Sequence, residues 1–221
     1  MKKYFLLMGL LAFASCKKVA EPYGLNFYYE NTQPINDSEL SKFPSKFRGL
    51  YMNSDSVFIN VKEKEILIEN YYRFKFHKST MDSLKQEFKF YNGKYFAKMN
   101  NKVYDSKIIG DSIELLNKQV DTFFVFSNTQ KAKRFDGKLI LNYKDSIYWK
   151  VKSIHVENNV LKIKYIYSEE DLKRIDSLTK VKSTIIDSSS FIIRPSRNEF
   201  KRILNLKKLG EDREYKKVQN N

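Results

Sequence analysis

The chain has 221 residues, of which 41 are lysine or arginine and 26 are aspartate or glutamate, so its formal net charge is +15. That length can bury the core of one domain or of two small ones. With one cysteine, two histidines and seven scattered glycines, the sequence excludes internal disulfides, a three-histidine zinc site and a glycine-rich phosphate loop.

The first sixteen residues have the layout of an export signal. Lys2 and Lys3 precede an apolar run over residues 5–13, which is too short to span a bilayer, and the run ends on small residues before Cys16. The box Phe13, Ala14, Ser15, Cys16 resembles that of bacterial lipoproteins. The resemblance implies that residues 1–15 are a signal peptide that is removed. The alternatives are an ordinary export signal with an incidental cysteine, or a short anchor that is not cut.

The same resemblance implies that Cys16 is the lipid attachment site, carrying a diacylglycerol and an amide-linked acyl chain such as palmitate. Two or three long chains hold a protein firmly on a membrane, whereas one chain binds marginally. Lys17 follows the cysteine where inner-membrane lipoproteins often have aspartate. We therefore expect a lipid-anchored protein of the cell envelope, on the periplasmic face of the outer membrane.

After a lipidated tether and a first strand within residues 16–36, the pattern predicts an antiparallel β meander. Strands are expected at residues 49–52, 57–61, 66–69, 71–77, 88–91, 94–99, 113–116 and 122–126. In residues 71–77, Tyr72, Phe74 and Phe76 alternate with Arg73, Lys75 and His77, as in a sheet with one face in water. Asn92-Gly93 predicts a type I′ hairpin turn.

The second half repeats this pattern and adds two helices. Strands are expected at residues 138–142, 147–156 and 160–167, with a turn at Asn158-Asn159, and a last strand at 214–218. Ser168 with Asp171 predicts the start of a helix over residues 169–180, and Ser196 with Glu199 that of a second, which Gly210 can end. The fold class is therefore mainly β, a barrel or a sandwich, with two short helices in the C-terminal third.

Two similar segments indicate an internal duplication. DSVFINVK at residues 55–62 and DSIYWKVK at 145–152 share four identical positions. Phe47-Arg48-Gly49 is matched by Phe135-Asp136-Gly137, and residues 81–84 parallel residues 175–178. We accordingly divide the chain into β unit one, residues 37–130, and β unit two with the helices, residues 131–221. The alternative is that Asp-Ser turns recur in any lysine- and serine-rich meander.

No catalytic, cofactor-binding or metal-binding residues are predicted. His77 lies on a polar strand face, and the acidic trio Glu169, Glu170, Asp171 fits the first turn of a helix better than a catalytic pair. Whether the chain is an enzyme therefore stays open. The composition favours a non-enzymatic module that binds an anionic envelope component or a partner protein. An exported chain is not expected to bind nucleic acid. The alternatives are a lipocalin-like carrier of a small apolar ligand and an envelope hydrolase.

Overall fold

The computed structural model describes residues 23–219, and for residues 81–83 the backbone alone. The predicted signal peptide and Cys16 lie outside this range. Within it, no helix is both long enough and apolar enough to cross a bilayer.

The described residues form fifteen strands and three short α-helices. The first eight strands are β1 (Asn26–Tyr29), β2 (Gly49–Met52), β3 (Phe58–Val61), β4 (Glu65–His77), β5 (Phe88–Tyr91), β6 (Lys94–Ala97), β7 (Val103–Ile109) and β8 (Ser112–Val125). The remaining strands are β9 (Gln130–Phe135), β10 (Lys138–Asp145), β11 (Tyr148–Glu157), β12 (Val160–Tyr165), β13 (Thr184–Asp187), β14 (Ser190–Ile193) and β15 (Glu211–Lys217). The helices are α1 (Met81–Glu87), α2 (Glu169–Leu178) and α3 (Arg197–Leu204).

All fifteen strands belong to one sheet, and most of its pairs are antiparallel. The main path runs β13-β14-β1-β11-β12-β15-β2-β3-β4-β8-β7-β6-β5, while β10 joins β11 to β9. The pair β1 and β14 is parallel. The sheet is not closed, so a closed sheet, the first of the two predicted arrangements, is not formed.

The sheet curls around one hydrophobic core. Its largest fully buried side chains are Phe43, Phe47, Tyr51, Phe124 and Tyr215. Strands from both halves of the chain contribute to this cluster, from β2, β3, β4 and β8 as well as from β9, β10, β11, β12 and β15. The two halves are therefore joined through a shared core, whatever their origin.

A second core covers the outer face of β10 and β11. Ile140 of β10 packs there with Phe200 and Ile203 of α3 and with Ile175 of α2. Its neighbours Leu139 and Leu141 belong to the inner core. Strand β10 is therefore apolar on both faces, and the apolar side of the C-terminal helix docks on the sheet, as its capped, narrow stripe predicts.

Strands β4 and β8 are longer than the curled part of the sheet, and their far ends carry an arm made of β5, β6, β7 and α1. The predicted strands 66–69 and 71–77 are one continuous strand, and so are 113–116 and 122–126. Each pair was predicted as two strands because polar residues interrupt the apolar pattern, Glu69 and Asn70 in β4 and the mostly polar residues 117–121 in β8. The arm has its own small core around Leu115, Tyr95 and Tyr104.

The predicted turns and caps are confirmed, with small differences at the helix ends. Asn92 and Gly93 both have positive φ, 48° and 74°, in the β5–β6 turn. Ser168 and Ser196 each form a complete capping box. The second helix ends at Leu204, before the predicted stop at Gly210, which instead precedes β15. Helix α1 was not predicted.

The repeated segments occupy similar places in part. Ser56 and Ser146 both have positive φ, 59° and 57°, in turns that lead into β3 and β11. The other match differs, because Gly49 begins β2 whereas Gly137 lies in the β9–β10 turn. The division into two β units stays a prediction.

Candidate binding cleft

The inner face of β11 changes from apolar to basic along its length. Ile154 and Val156 lie in the inner core, and the residues that precede them on the same face are Lys150 and Lys152. Lys152 is the first residue on this face outside the core, and it lines an open cleft, which we call the mouth of the curled sheet. The rings around it come from β8, β10 and β12.

Three aromatic rings surround the ammonium group of Lys152. Its Nζ lies 5.1 Å from the ring centroid of Phe123, 5.3 Å from that of Tyr143 and 5.4 Å from that of Tyr165. The hydroxyl of Tyr143 donates to the carbonyl oxygen of Phe123 at 3.1 Å, which fixes two of the rings relative to each other. Cations are attracted to the faces of such rings within about 6 Å. The ammonium is therefore held at the end of the core.

Lys150, the next residue on the same face, is ion-paired. Its Nζ lies 3.1 Å from Oδ2 of Asp145 and 5.0 Å from the ring centroid of Tyr28, whose hydroxyl donates to the same carboxylate. Burial alone would lower the pKa of Lys150, but the contacts with Asp145 and Tyr28 outweigh it and the pKa is raised. The hydrogen bond from Lys150 in turn lowers the pKa of Asp145, against a smaller opposing effect of burial. Both groups are therefore charged near neutral pH.

The cleft in front of these residues has a volume of about 460 Å³. Three of its lining residues are basic and one is acidic, namely Lys144, Lys150, Lys152 and Asp145. Its other lining residues are Ile68, Thr122, Phe123, Gln130, Tyr143 and Tyr165. The volume lies within the range of small-molecule sites, and the lining combines ring faces with an excess of positive charge.

A second, smaller opening of about 80 Å³ lies where β11 changes its neighbour. Strand β11 pairs with β12 from Ser153 onward and meets β1 at Trp149, so the residues between them pair only with β10 on the other side. The opening is bounded by residues 24–27 and 164–167, and it shares Lys150, Lys152 and Tyr165 with the larger cleft. The divergence of β1 and β12 thus leaves this part of β11 accessible from both sides.

The residues singled out in the sequence do not meet in a reactive arrangement. His77 is exposed, with Nδ1 2.8 Å from Oγ of Ser79, as its polar face predicts. His155 lies on another strand, 3.6 Å from Glu157, and its buried Nδ1 has no partner among the described residues. Across residues 23–219, no group of three or more histidine, cysteine, aspartate or glutamate side chains could hold a metal ion.

The acidic trio is part of a helix start. Asp171 accepts hydrogen bonds from the backbone N–H groups of Tyr167, Ser168 and Gly210. Such contacts satisfy the free donors of a helix N-terminus and of the chain beside it. All three residues lie in the first turn of α2, as predicted, and Asp171 also completes the capping box with Ser168.

Sequence reasoning missed Lys152 and its three rings. The one available signal was that Lys150 and Lys152 alternate with Val151 within a predicted strand. Nothing in the sequence indicates that this face turns from the core to solvent midway along β11, because that depends on where β8, β10 and β12 end around it.

Comparisons with protein-family models, with curated proteins and with solved structures found no match for this chain.

Proposed function

We propose that this chain is a lipid-anchored cell-envelope protein that binds an anionic ligand, without chemistry, in the cleft at the mouth of its curled sheet. The anchor is Cys16, and the outer membrane is the proposed location, on its periplasmic face. The observation that carries the binding proposal is the ammonium group of Lys152 held among Phe123, Tyr143 and Tyr165 where the cleft opens.

The lining of the cleft favours an anionic glycan over a simple ion. Aromatic rings provide flat apolar faces for the carbon faces of sugar rings, while lysines attract carboxylate, sulfate or phosphate groups. The cleft carries three lysines against one aspartate, so its local charge is positive. A charged sugar unit has both properties in one molecule, which fits the combination better than an inorganic ion would.

The alternative of a carrier for a small apolar ligand receives less support. Such a carrier needs room inside the sheet, and that space is occupied by Phe43, Phe47, Tyr51, Phe124 and Tyr215, which are fully buried in one cluster. The larger cleft lies outside this cluster and has an excess of charge. No arrangement among the described residues gives the hydrolase alternative a specific observation.

Calorimetric titration of the full chain carrying Cys16→Ser tests the binding proposal. The probe is a heparin-derived hexasaccharide, which is sulfated and rich in uronic acid, and the comparison is neutral maltohexaose. We expect the charged hexasaccharide to bind and the neutral one to bind much more weakly. A hydrogen bond to a charged group contributes about 1.5–3 kcal/mol, so Lys152→Gln should weaken binding by roughly ten- to a hundredfold.

The matched control is Lys162→Gln, which removes the same charge from β12. Lys162 is ion-paired with Glu214 at 2.6 Å and lies outside the cleft. Equal weakening by the two substitutions would show attraction by net charge alone and would contradict the proposed cleft. Equal binding of the charged and the neutral hexasaccharide would contradict the anionic ligand.

The anchor has its own test, the intact mass of the protein purified from membranes of its host. We expect the mass of residues 16–221 plus acyl chains, and loss of those chains in Cys16→Ser. An unmodified wild-type chain would contradict the lipoprotein proposal and would leave the cleft proposal unaffected.

A further inference from the structure

One end of the sheet is an unpaired strand of the arm. Strand β5 is the last member of the main path, and it pairs over its whole length, Phe88–Tyr91, with β6 alone. Among the described residues, no other strand lies along its outer side. Such an edge presents free backbone groups that can pair with a further strand, and proteins usually protect it.

The opposite end of the sheet is less suited to the addition of a strand. The ladder between β13 and β14 shifts its register between Ile185 and Asp187. An irregularity of this kind twists an edge and disturbs pairing with a regular partner. The ladder between β5 and β6 has no such shift. Strand β5 is therefore the regular edge of the sheet.

The backbone of Phe90 points outward from this edge. The β5–β6 turn has two residues, so Tyr91 and Lys94 form a hydrogen-bonded pair and alternate residues of β5 turn towards β6. The N–H of Lys98 donates to the carbonyl oxygen of Glu87, which agrees with this alternation. The N–H and C=O groups of Phe90 therefore face away from β6, on the side where β5 has no neighbour.

The side chains along this edge are exposed on both faces of the arm. Phe90 is 63% exposed, and its ring centroid lies 4.9 Å from that of Tyr95 on the same face. Lys89 and Tyr91 lie on the other face by alternation, and Tyr91 is 67% exposed. The edge thus combines an exposed ring on each face with one lysine.

We propose that two copies of this chain pair through β5, antiparallel, about a two-fold axis at Phe90. The two Phe90 residues then exchange both backbone hydrogen bonds, and their rings meet on one face beside Tyr95 of each copy. On the other face, Lys89 of each copy lies opposite Tyr91 of the second copy, where the ring attracts the ammonium group. This register places no like charges directly opposite each other, which favours the pairing.

The symmetric register has one centre available in this strand. Phe88 is the other residue that faces outward, but its N–H donates to the carbonyl oxygen of Leu84 at the end of α1. The residues before it are helical and cannot extend the ladder. A two-fold axis at Phe90 therefore uses the free backbone groups, and the strand is complementary to itself in that register.

The pairing is expected to be weak and reversible. Strand β5 has four residues, whereas stable interfaces bury about 1,200–2,000 Å² in total. The inference goes beyond the proposed ligand and does not depend on the lipid at Cys16 or on the cleft. The long strands β4 and β8 carry the edge away from the curled core, so the cleft stays open in the pair.

Disulfide cross-linking between two variants tests the proposal and its register, in the full chain carrying Cys16→Ser. Lys89→Cys chains are mixed with Tyr91→Cys chains in the presence of oxidised glutathione. In the proposed register the two cysteines are directly opposite, with Cα atoms about 4.5 Å apart, which suits a disulfide. Two chains with the same substitution would hold their cysteines about 8 Å apart, beyond the reach of about 7 Å. We expect the mixture to cross-link roughly tenfold faster than either variant alone.

Two further variants provide the controls. Ile108→Cys, at a position that is 67% exposed on the same arm, replaces Tyr91→Cys in the mixture and should cross-link to Lys89→Cys only at the rate of random collision. Phe90→Ser in both chains of the mixture should slow cross-linking by roughly tenfold, because one large apolar group per chain no longer leaves water. Circular dichroism checks that this exposed substitution leaves the fold intact.

The outcomes that would overturn the proposal are distinct. Equal rates in the mixture and in the collision control would show that no register is preferred. An unchanged rate in Phe90→Ser would show that the ring does not contribute to the contact. Sedimentation of the Cys16→Ser chain as a monomer at millimolar concentration would show that the edge does not bind a second copy.

Discussion

Removal of the Asp171 carboxylate is expected to destabilise the chain strongly. Asp171 is 2% exposed, and its two oxygens accept three backbone hydrogen bonds, from Tyr167 at 3.2 Å, Ser168 at 3.1 Å and Gly210 at 2.7 Å. The group therefore caps its own helix and also holds the chain that leads into β15. Arg174 lies 3.7 Å from the same carboxylate and adds a weaker attraction.

The expected loss in the free energy of unfolding follows from these contacts. In Asp171→Ala, three backbone donors lose a charged acceptor, and each buried donor without a partner costs about 1–3 kcal/mol. Water can reach part of the helix start, so we expect a total loss of about 3–5 kcal/mol, including about 1 kcal/mol for the capping box. For a chain of this size, that loss lowers the midpoint of thermal unfolding by roughly 6–20 °C.

The assay is urea unfolding followed by circular dichroism, together with a thermal scan. Glu170→Ala is the matched control, because Glu170 is exposed in the same first turn and contributes only through the helix dipole. It should cost about 1 kcal/mol or less. If both variants lose the same stability, the three hydrogen bonds to Asp171 do not hold the helix and β15 together, and the reasoning is refuted.

Three further predictions concern turns, pH and a buried amide. Gly210→Ala should lower the free energy of unfolding much more than Gly93→Ala, because both glycines have positive φ but only the Cβ at 210 would meet a backbone oxygen, at 2.2 Å. The pKa of Glu199 is lowered chiefly by hydrogen bonds from the backbone of Lys180 and Ser196, so its stabilisation is full above the unfolded pKa of about 4.3 and is lost as the pH falls through the lower folded value. Unfolding at several pH values should show a smaller acid loss in Glu199→Gln. Asn142→Ala should cost about 2–4 kcal/mol in urea unfolding, because the buried side chain bonds both the N–H and the carbonyl of Gln33.

Each of these predictions has a result that would contradict it. Equal losses at Gly93 and Gly210 would mean that backbone strain alone sets the cost of both substitutions. Identical acid unfolding of the wild type and Glu199→Gln would mean that the carboxyl titrates alike in the folded and unfolded chain. A loss below about 1 kcal/mol in Asn142→Ala would place its hydrogen bonds within reach of water.

The comparison of sequence and structure is most informative at the turns and in the arm. Asn92-Gly93 and Asn158-Asn159 identified their hairpins because positive φ is a property of the residues themselves. The alternation of Tyr72, Phe74 and Phe76 identified a half-buried strand for the same local reason. The continuity of β4 through residue 70 was not predicted, because Glu69 and Asn70 are buried polar residues and interrupt the apolar pattern.

The cleft, in contrast, could not be predicted from the sequence. Lys152 looked like one more lysine on a solvated strand, and its chemistry depends on Phe123, Tyr143 and Tyr165, which come from three other strands. The local sequence pattern does not predict which strands surround β11, because strand order depends on contacts between residues far apart in the chain.

The sequence alone therefore determined the mainly β class, most of the strands, the hairpin turns, the helix caps and the positive charge, since each depends on neighbouring residues and on backbone geometry. Strands β7, β9, β13 and β14 and helix α1 were not predicted. The sequence also predicted the signal peptide and the lipid site at Cys16, which stay predictions. The tertiary structure decided that β15 pairs with both β12 and β2, so that the two halves share one core. It likewise decided the position of the cleft and of the unpaired edge at β5. These features arise from burial and strand pairing over long separations, where many arrangements satisfy the same local pattern and only the packing of the whole chain selects one.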